Sequence, residues 1–164
     1  MLYYSYPQIQ FQEVPDEISL SLSLSGCDLH CKGCHSKETW NPKFGKLLTN
    51  EEIDKLLKRH KHISCVLLYG GEWEFEDLNR IIDYIKEKYP HLKIAFYTGR
   101  ELDFPKFTKD FLKKLDYVKV GPYIKELGPL SSTTTNQRFY VLKNGEIVED
   151  KTSWFYNRFK SNFW

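Results

Sequence analysis

Three cysteines fall within eight residues, Cys27, Cys31 and Cys34, in the stretch GCDLHCKGCHS. Their spacing, Cys-x3-Cys-x2-Cys, puts three soft thiolate donors on one short loop, the ligand chemistry of zinc or of an iron–sulfur cluster. Gly26 and Gly33 let the backbone approach closely. A cluster that only carries electrons normally takes four cysteine ligands. Three on their own leave one iron of a [4Fe–4S] cubane open to a substrate. The competing reading is a zinc knot in a binding module without chemistry, with His30, His35, His60 or His62 as the fourth ligand. Zinc sites more often space their cysteines as paired knuckles, so the x3, x2 spacing favours the cluster. Cys65 sits mid-strand in an apolar run and reads as a buried, inert thiol.

The elements around this loop follow a regular order. EISLSLSLS alternates with period two, Ile18, Leu20, Leu22 and Leu24 against serines, and predicts a strand that runs straight into the cysteines. Thr49 with Glu52 resembles a capping box, and Ile53, Leu56 and Leu57 form the apolar stripe of a helix behind it. Ile63 to Tyr69 reads as a buried strand ending in Gly70-Gly71-Glu72. Leu78, Ile81, Ile82 and Ile85 mark a second helix, and Lys93 to Tyr97 a strand ending in Thr98-Gly99. A short helix around Phe111, Leu112 and Leu115 and a strand from Tyr117 to Val120 complete a β-α-β-α-β-α-β series. Right-handed crossovers then give a parallel sheet with helices outside it. Asn144-Gly145 between apolar runs signals a hairpin, and the tail SWFYNRFKSNFW is aromatic and basic. The cysteine loop, Gly70-Gly71-Glu72 and Thr98-Gly99 all follow strand C-termini, the edge where parallel α/β structures gather ligands.

The 164 residues correspond to one domain over 1–164, large enough to bury a core without staples. A net charge of +2 gives no electrostatic reason for nucleic-acid binding. No apolar run reaches the roughly 20 residues of a membrane span, and the N-terminus lacks the pattern of a signal peptide. The expected location is the cytoplasm, where a reducing environment favours metal or redox roles for cysteine over cross-linking.

The cysteine spacing after a first strand resembles the signature of the radical S-adenosylmethionine superfamily. The longer string SGCDLHCKGCHSKETW, ending at Trp40, with YGGEW, YTGR, VGPY and TTNQR in order, is similar to the anaerobic ribonucleoside-triphosphate reductase-activating proteins. The resemblance covers most of residues 10 to 142. It implies an α/β fold forming an incomplete parallel (β/α) barrel, with a C-terminal hairpin and an aromatic tail that covers the sheet or docks the partner. It also implies a [4Fe–4S] cluster on Cys27, Cys31 and Cys34 whose open iron takes the amino and carboxylate groups of S-adenosylmethionine. Reductive cleavage would leave methionine and a 5′-deoxyadenosyl radical that abstracts a glycine hydrogen from the reductase. An oxidoreductase of this kind draws electrons from an external donor such as flavodoxin or ferredoxin.

Residue by residue, Gly70, Gly71 and Glu72 match the family's motif for the methionine amino group, with Trp73 where many superfamily members carry proline. Gly33, Cys34 and His35 match the stretch along the cofactor, His35 being placed to stack on adenine. Thr98 is placed to reach ribose or carboxylate, or else to cap a helix. Asn136, Gln137 and Arg138 match a motif near the C-terminus, with Arg138 meeting the cofactor or the partner, or simply solvated. The segment QEVPDEI departs from the Asn-Gly-x-Gly-x-Arg-like stretch of many relatives. A related alternative is activation of another glycyl-radical enzyme of the pyruvate formate-lyase type.

Overall fold

A computed structural model describes residues 1–161, with side chains described through residue 157. The elements, in chain order, are β1 (Tyr3–Gln10), β2 (Ser19–Leu24), β3 (Lys46–Leu47), α1 (Asn50–Arg59), β4 (Cys65–Tyr69), α2 (Phe75–Lys88), β5 (Lys93–Tyr97), α3 (Lys109–Leu112), β6 (Tyr117–Val120), β7 (Arg138–Lys143), β8 (Glu146–Asp150) and α4 (Thr152–Ser161). All eight strands join one sheet in the order β3-β1-β2-β4-β5-β6-β7-β8.

The centre of this sheet is the expected parallel series. β2, β4, β5 and β6 pair in parallel, with Leu22 beside Leu68, Leu68 beside Phe96 and Phe96 beside Val118. That row belongs to the larger core, which the apolar stripes of α1 and α2 cover together with Phe107 and Phe111. The stripes carry the drive for this packing. Leu78, Ile81 and Ile82 are fully buried, each removing about 2 kcal/mol worth of apolar surface from water. Thr49 caps α1 by accepting from the Glu52 N–H at 3.1 Å. The capping box is only half made, because the Glu52 carboxylate instead accepts from the Tyr4 hydroxyl at 2.6 Å and pairs with Lys46 at 3.1 Å.

The sequence expectation is corrected in one respect: the sheet is mixed rather than parallel, because antiparallel strands flank the parallel core on both sides, and it is open with β3 and β8 at its two edges, so it shows no barrel. β1 was not legible because Pro7 and a register shift between Ser5 and Gln8 break its alternation. The serines of β2 alternate with the leucines as expected, and Ser19 and Ser21 are as buried as Leu20 between them. These serines lie on the second sheet face, where Leu67, Ala95, Tyr117 and Phe139 form a smaller core with Val14 and Phe155. Phe155 of α4 meets Phe139 edge-on at 5.3 Å, so this part of the aromatic tail packs on the chain's own sheet. Phe159, Phe163 and Trp164 lie outside the residues whose side chains are described. The hairpin at Asn144-Gly145 is present, both residues having positive φ as its tight turn requires.

Candidate active site at the strand C-termini

The register of the parallel strands builds the site. Ser23 pairs with Tyr69, Tyr69 with Tyr97 and Tyr97 with Lys119. This row is the last on the second sheet face before the strands end. All four side chains floor a cavity of about 310 Å³, within the usual size range for small-molecule sites. The serine supplies depth, as a larger residue there would fill the space. Cys27, Gly70, Glu72 and Thr98 line the same cavity, so three separate strand ends converge as expected.

The cysteine loop leaves β2 and is closed at its base by Thr39, whose carbonyl accepts from the N–H of Gly26 at 2.6 Å and of Cys27 at 3.2 Å. Inside it, the Cys34 N–H reaches the Cys31 carbonyl at 3.1 Å. All three cysteines are free and half-buried. Burial pushes the Cys27 thiol above its ordinary range, and the backbone N–H groups of Leu29 and His30, directed at the sulfur, oppose that rise. The Ser36 N–H similarly lies 3.4 Å from the Cys34 sulfur. Amides aimed at sulfur suit thiolate ligands, so the donor set of this loop fits an iron–sulfur cluster. Among the described residues, no three His, Cys, Asp or Glu side chains are grouped to hold a single metal ion, the three cysteines included. His30 is stacked on Trp40 at 4.2 Å, and His60 and His62 precede β4, at the opposite end of the strands from the loop.

Gly71 adopts a left-handed conformation (φ 108°) and begins a single 3₁₀ turn, Glu72–Glu74, that leads into α2. The turn carries Glu72 inward, where it is 1% exposed. One carboxylate oxygen accepts from the Thr98 hydroxyl at 3.1 Å and lies 3.5 Å from Arg100 Nε. The other has no hydrogen-bond partner. Burial raises the Glu72 pKa, with its own backbone N–H first and then Thr98 and Arg100 pulling it back. An unanswered carboxylate oxygen in a cavity costs free energy unless a ligand cation meets it.

Other expected positions fall differently. Thr98 caps no helix; it orients Glu72 and accepts from the Arg100 N–H at 3.0 Å. Gly71 backs onto Leu24 and Leu78 rather than the cavity. Gly33 and His35 are exposed and, like Cys31 and Cys34, do not line the cavity, Gly33 lying beside Tyr123 and Lys125 and the His35 ring 5.9 Å from Tyr123. Arg138 donates to the carbonyls of Thr135 and Gln137, at 3.1 and 2.8 Å, and so braces its own loop. Asn136 and Gln137 anchor the carbonyls of Pro122 and Gly121.

Two site residues escaped the sequence reading. Lys119 projects its ammonium over the Tyr97 ring at 5.9 Å, and burial pushes its pKa down to about 8 while nearby Cys31 and Glu72 oppose the shift. A lysine inside the buried run YVKV was the available signal. Arg100 links Glu72 to Asp28 of the cysteine loop; it was visible only as the last letter of YTGR.

Comparison with known proteins agrees with this geometry. Residues 18–142 match the family described as a 4Fe-4S single cluster domain. The chain is 27% identical over 137 residues to an anaerobic ribonucleoside-triphosphate reductase-activating protein of Enterobacteria phage T4, covering 79% of this chain and 87% of that protein. A protein of the same name from Salmonella typhimurium is 28% identical over 111 residues, 63% of this chain and 71% of its own length. A pyruvate formate-lyase-activating enzyme of Clostridium pasteurianum is 53% identical over 36 residues, covering 22% of this chain and 15% of the enzyme. No solved structure matches the chain significantly. With its cysteine loop beside a cavity and that match spanning most of its length, the chain belongs to the 4Fe-4S single cluster domain family and resembles the activating proteins of anaerobic ribonucleoside-triphosphate reductase.

Proposed function

We propose that the chain is a single-domain oxidoreductase of residues 1–164 that cleaves S-adenosylmethionine reductively and generates a glycyl radical on anaerobic ribonucleoside-triphosphate reductase. Cys27, Cys31 and Cys34 would hold the [4Fe–4S] cluster. When bound, the cluster supplies the electron that breaks the sulfonium S–C5′ bond of the cofactor. Glu72 receives the methionine ammonium on its unpartnered oxygen, with the carbonyl of Gly70 as a further acceptor. Thr98 keeps Glu72 in place. Lys119, across the cavity, offers the opposite charge to the cofactor carboxylate. Gly33, Cys34 and His35, outside the cavity lining, would meet the rest of the cofactor. The aromatic floor excludes water from the reacting bond.

The observation that carries this reading is the buried Glu72 carboxylate, one oxygen of which has no hydrogen-bond partner, on a residue that lines the same cavity as Cys27. A binding module with no ligand would gain nothing by holding a carboxylate oxygen there. The similarity to reductase-activating proteins supports the partner, and an external flavodoxin or ferredoxin would supply the electron. No helix among the described residues is long and apolar enough to cross a membrane, which is compatible with a cytoplasmic enzyme.

The short, strong match to a pyruvate formate-lyase-activating enzyme favours a second reading with the same chemistry and a different protein substrate. Anaerobic incubation with dithionite, S-adenosylmethionine and each candidate partner separates them by electron paramagnetic resonance. The expected result is a glycyl doublet with the reductase alone. A doublet only with pyruvate formate-lyase would move the assignment to the second reading.

A further inference from the structure

We infer that Trp73 and Arg100 are positioning residues that lock the cysteine loop to the Gly70–Glu72 turn, so that the three thiols and the Glu72 carboxylate keep one fixed spacing. The inference rests on the proposed function for what the two elements hold; the lock itself is geometric. Trp73 follows the turn directly, and its indole N–H donates to the Ser25 carbonyl, at the start of the cysteine loop, at 2.7 Å. The ring lies against a glycine on each element. A Cβ at Gly26 would stand 2.6 Å from Nε1, and one at Gly70 would stand 2.3 Å from Cη2. The same indole therefore demands glycine on both sides.

Arg100 makes the second tie. Its Nη2 donates to the Asp28 carboxylate at 2.5 Å, and its Nε lies 3.5 Å from Glu72. Asp28 is the residue after Cys27, so this side chain spans from the loop to the carboxylate itself. Leu29 adds a third contact, packing where a Cβ on Gly99 would stand 2.4 Å from its methyl group. The loop's own hydrogen bonds, to Thr39 and between Cys31 and Cys34, set its shape but do not refer it to the turn. Orientation of reacting groups is lost with small displacements, so loosening the lock should impair cleavage without removing the ligands.

The test uses Trp73→Phe, which keeps an aromatic ring and removes the donor, and Arg100→Lys, which shortens the bridge without losing charge. In the chain without cluster, hydrogen–deuterium exchange of residues 25–36 should speed up about fivefold in each variant, the loss expected for one tertiary hydrogen bond. Exchange in β4 and β5 should stay as in the parent chain. After anaerobic reconstitution, iron and sulfide content should be unchanged. The rate of 5′-deoxyadenosine formation at saturating S-adenosylmethionine should fall at least tenfold. Loop exchange equal to the parent in both variants, or equal acceleration in β4 and β5, would overturn the inference. If Trp73→Phe does not fold, the Arg100→Lys result decides alone. A parent chain that forms no 5′-deoxyadenosine would instead remove the proposed function and leave the exchange result to judge the lock.

Discussion

Replacing Glu72 by Gln separates the cofactor role proposed for this residue from any role in the fold. The side chain is 1% exposed; one oxygen accepts from the Thr98 hydroxyl at 3.1 Å and lies 3.5 Å from Arg100 Nε, an ion pair without a hydrogen bond. Glutamine can keep that oxygen on the Thr98 hydroxyl. The change falls on the second oxygen, which has no partner and becomes an NH2 group. A donor there faces the cofactor ammonium and cannot receive it. A hydrogen bond to a charged group contributes about 1.5–3 kcal/mol, so S-adenosylmethionine should bind about 10- to 150-fold more weakly. The fold should respond in the opposite sense. Burial already raises the Glu72 pKa, which means that the charged form is disfavoured in the folded chain; a neutral amide removes that cost. The chain without cluster should therefore melt at the same temperature or slightly higher. Calorimetric titration of the anaerobically reconstituted protein measures the affinity, and circular dichroism the melting. Unchanged affinity, or a large drop in melting temperature with weakened binding, would refute the assignment of the free oxygen to the ammonium.

Four further outcomes follow from other parts of the molecule. Alanine at Cys27, Cys31 or Cys34 should abolish retention of iron and sulfide after gel filtration. Alanine at Cys65, fully buried in β4, should leave the cluster intact and cost about 1 kcal/mol by denaturant titration. Phe155→Ala should destabilise the fold by about 3 kcal/mol, because that ring is 5% exposed against Phe139. Its loss of activity should parallel the unfolded fraction. Asp54 bonds to Lys88 first, then to Tyr89 and Tyr84, which holds its carboxyl down to about 2 from an ordinary 3.8. A lowered carboxyl contributes stability that is fully present above the ordinary value and lost as pH falls through the folded one. Asp54→Asn should thus cost about 1 kcal/mol at neutral pH, and this deficit should shrink between pH 4 and 2, as read from thermal melts.

The parallel core was legible because its signals are local. Each apolar run from Cys65 to Val120 sits between helices whose stripes are continuous, and Leu78, Ile81, Ile82 and Ile85 all fall on the buried face of α2. The antiparallel edge was not legible, because Pro7 and the bulge after Ser5 erase the alternation of β1, while β3 has two residues. The site was legible where chemistry is written in spacing, as with the cysteines, or in a turn that needs φ above zero, as at Gly71. It was not legible where function depends on register. Lys119 and Tyr97 become neighbours only through strand pairing. The role of Thr98 as a donor to Glu72 crosses 26 residues of sequence. Trp73 appeared only as a departure from proline; its contacts with Gly26 and Gly70 exist only in the folded chain.

The most direct measurement of the central claim is 5′-deoxyadenosine formation by the reconstituted chain under strict anaerobiosis, with dithionite and S-adenosylmethionine. Iron and sulfide are quantified on the same sample. The account predicts about four irons and four sulfides per chain, with 5′-deoxyadenosine and methionine released together in the parent and neither in Cys31→Ala. A chain that carries stoichiometric zinc without sulfide, or a full cluster that never yields 5′-deoxyadenosine, would contradict it.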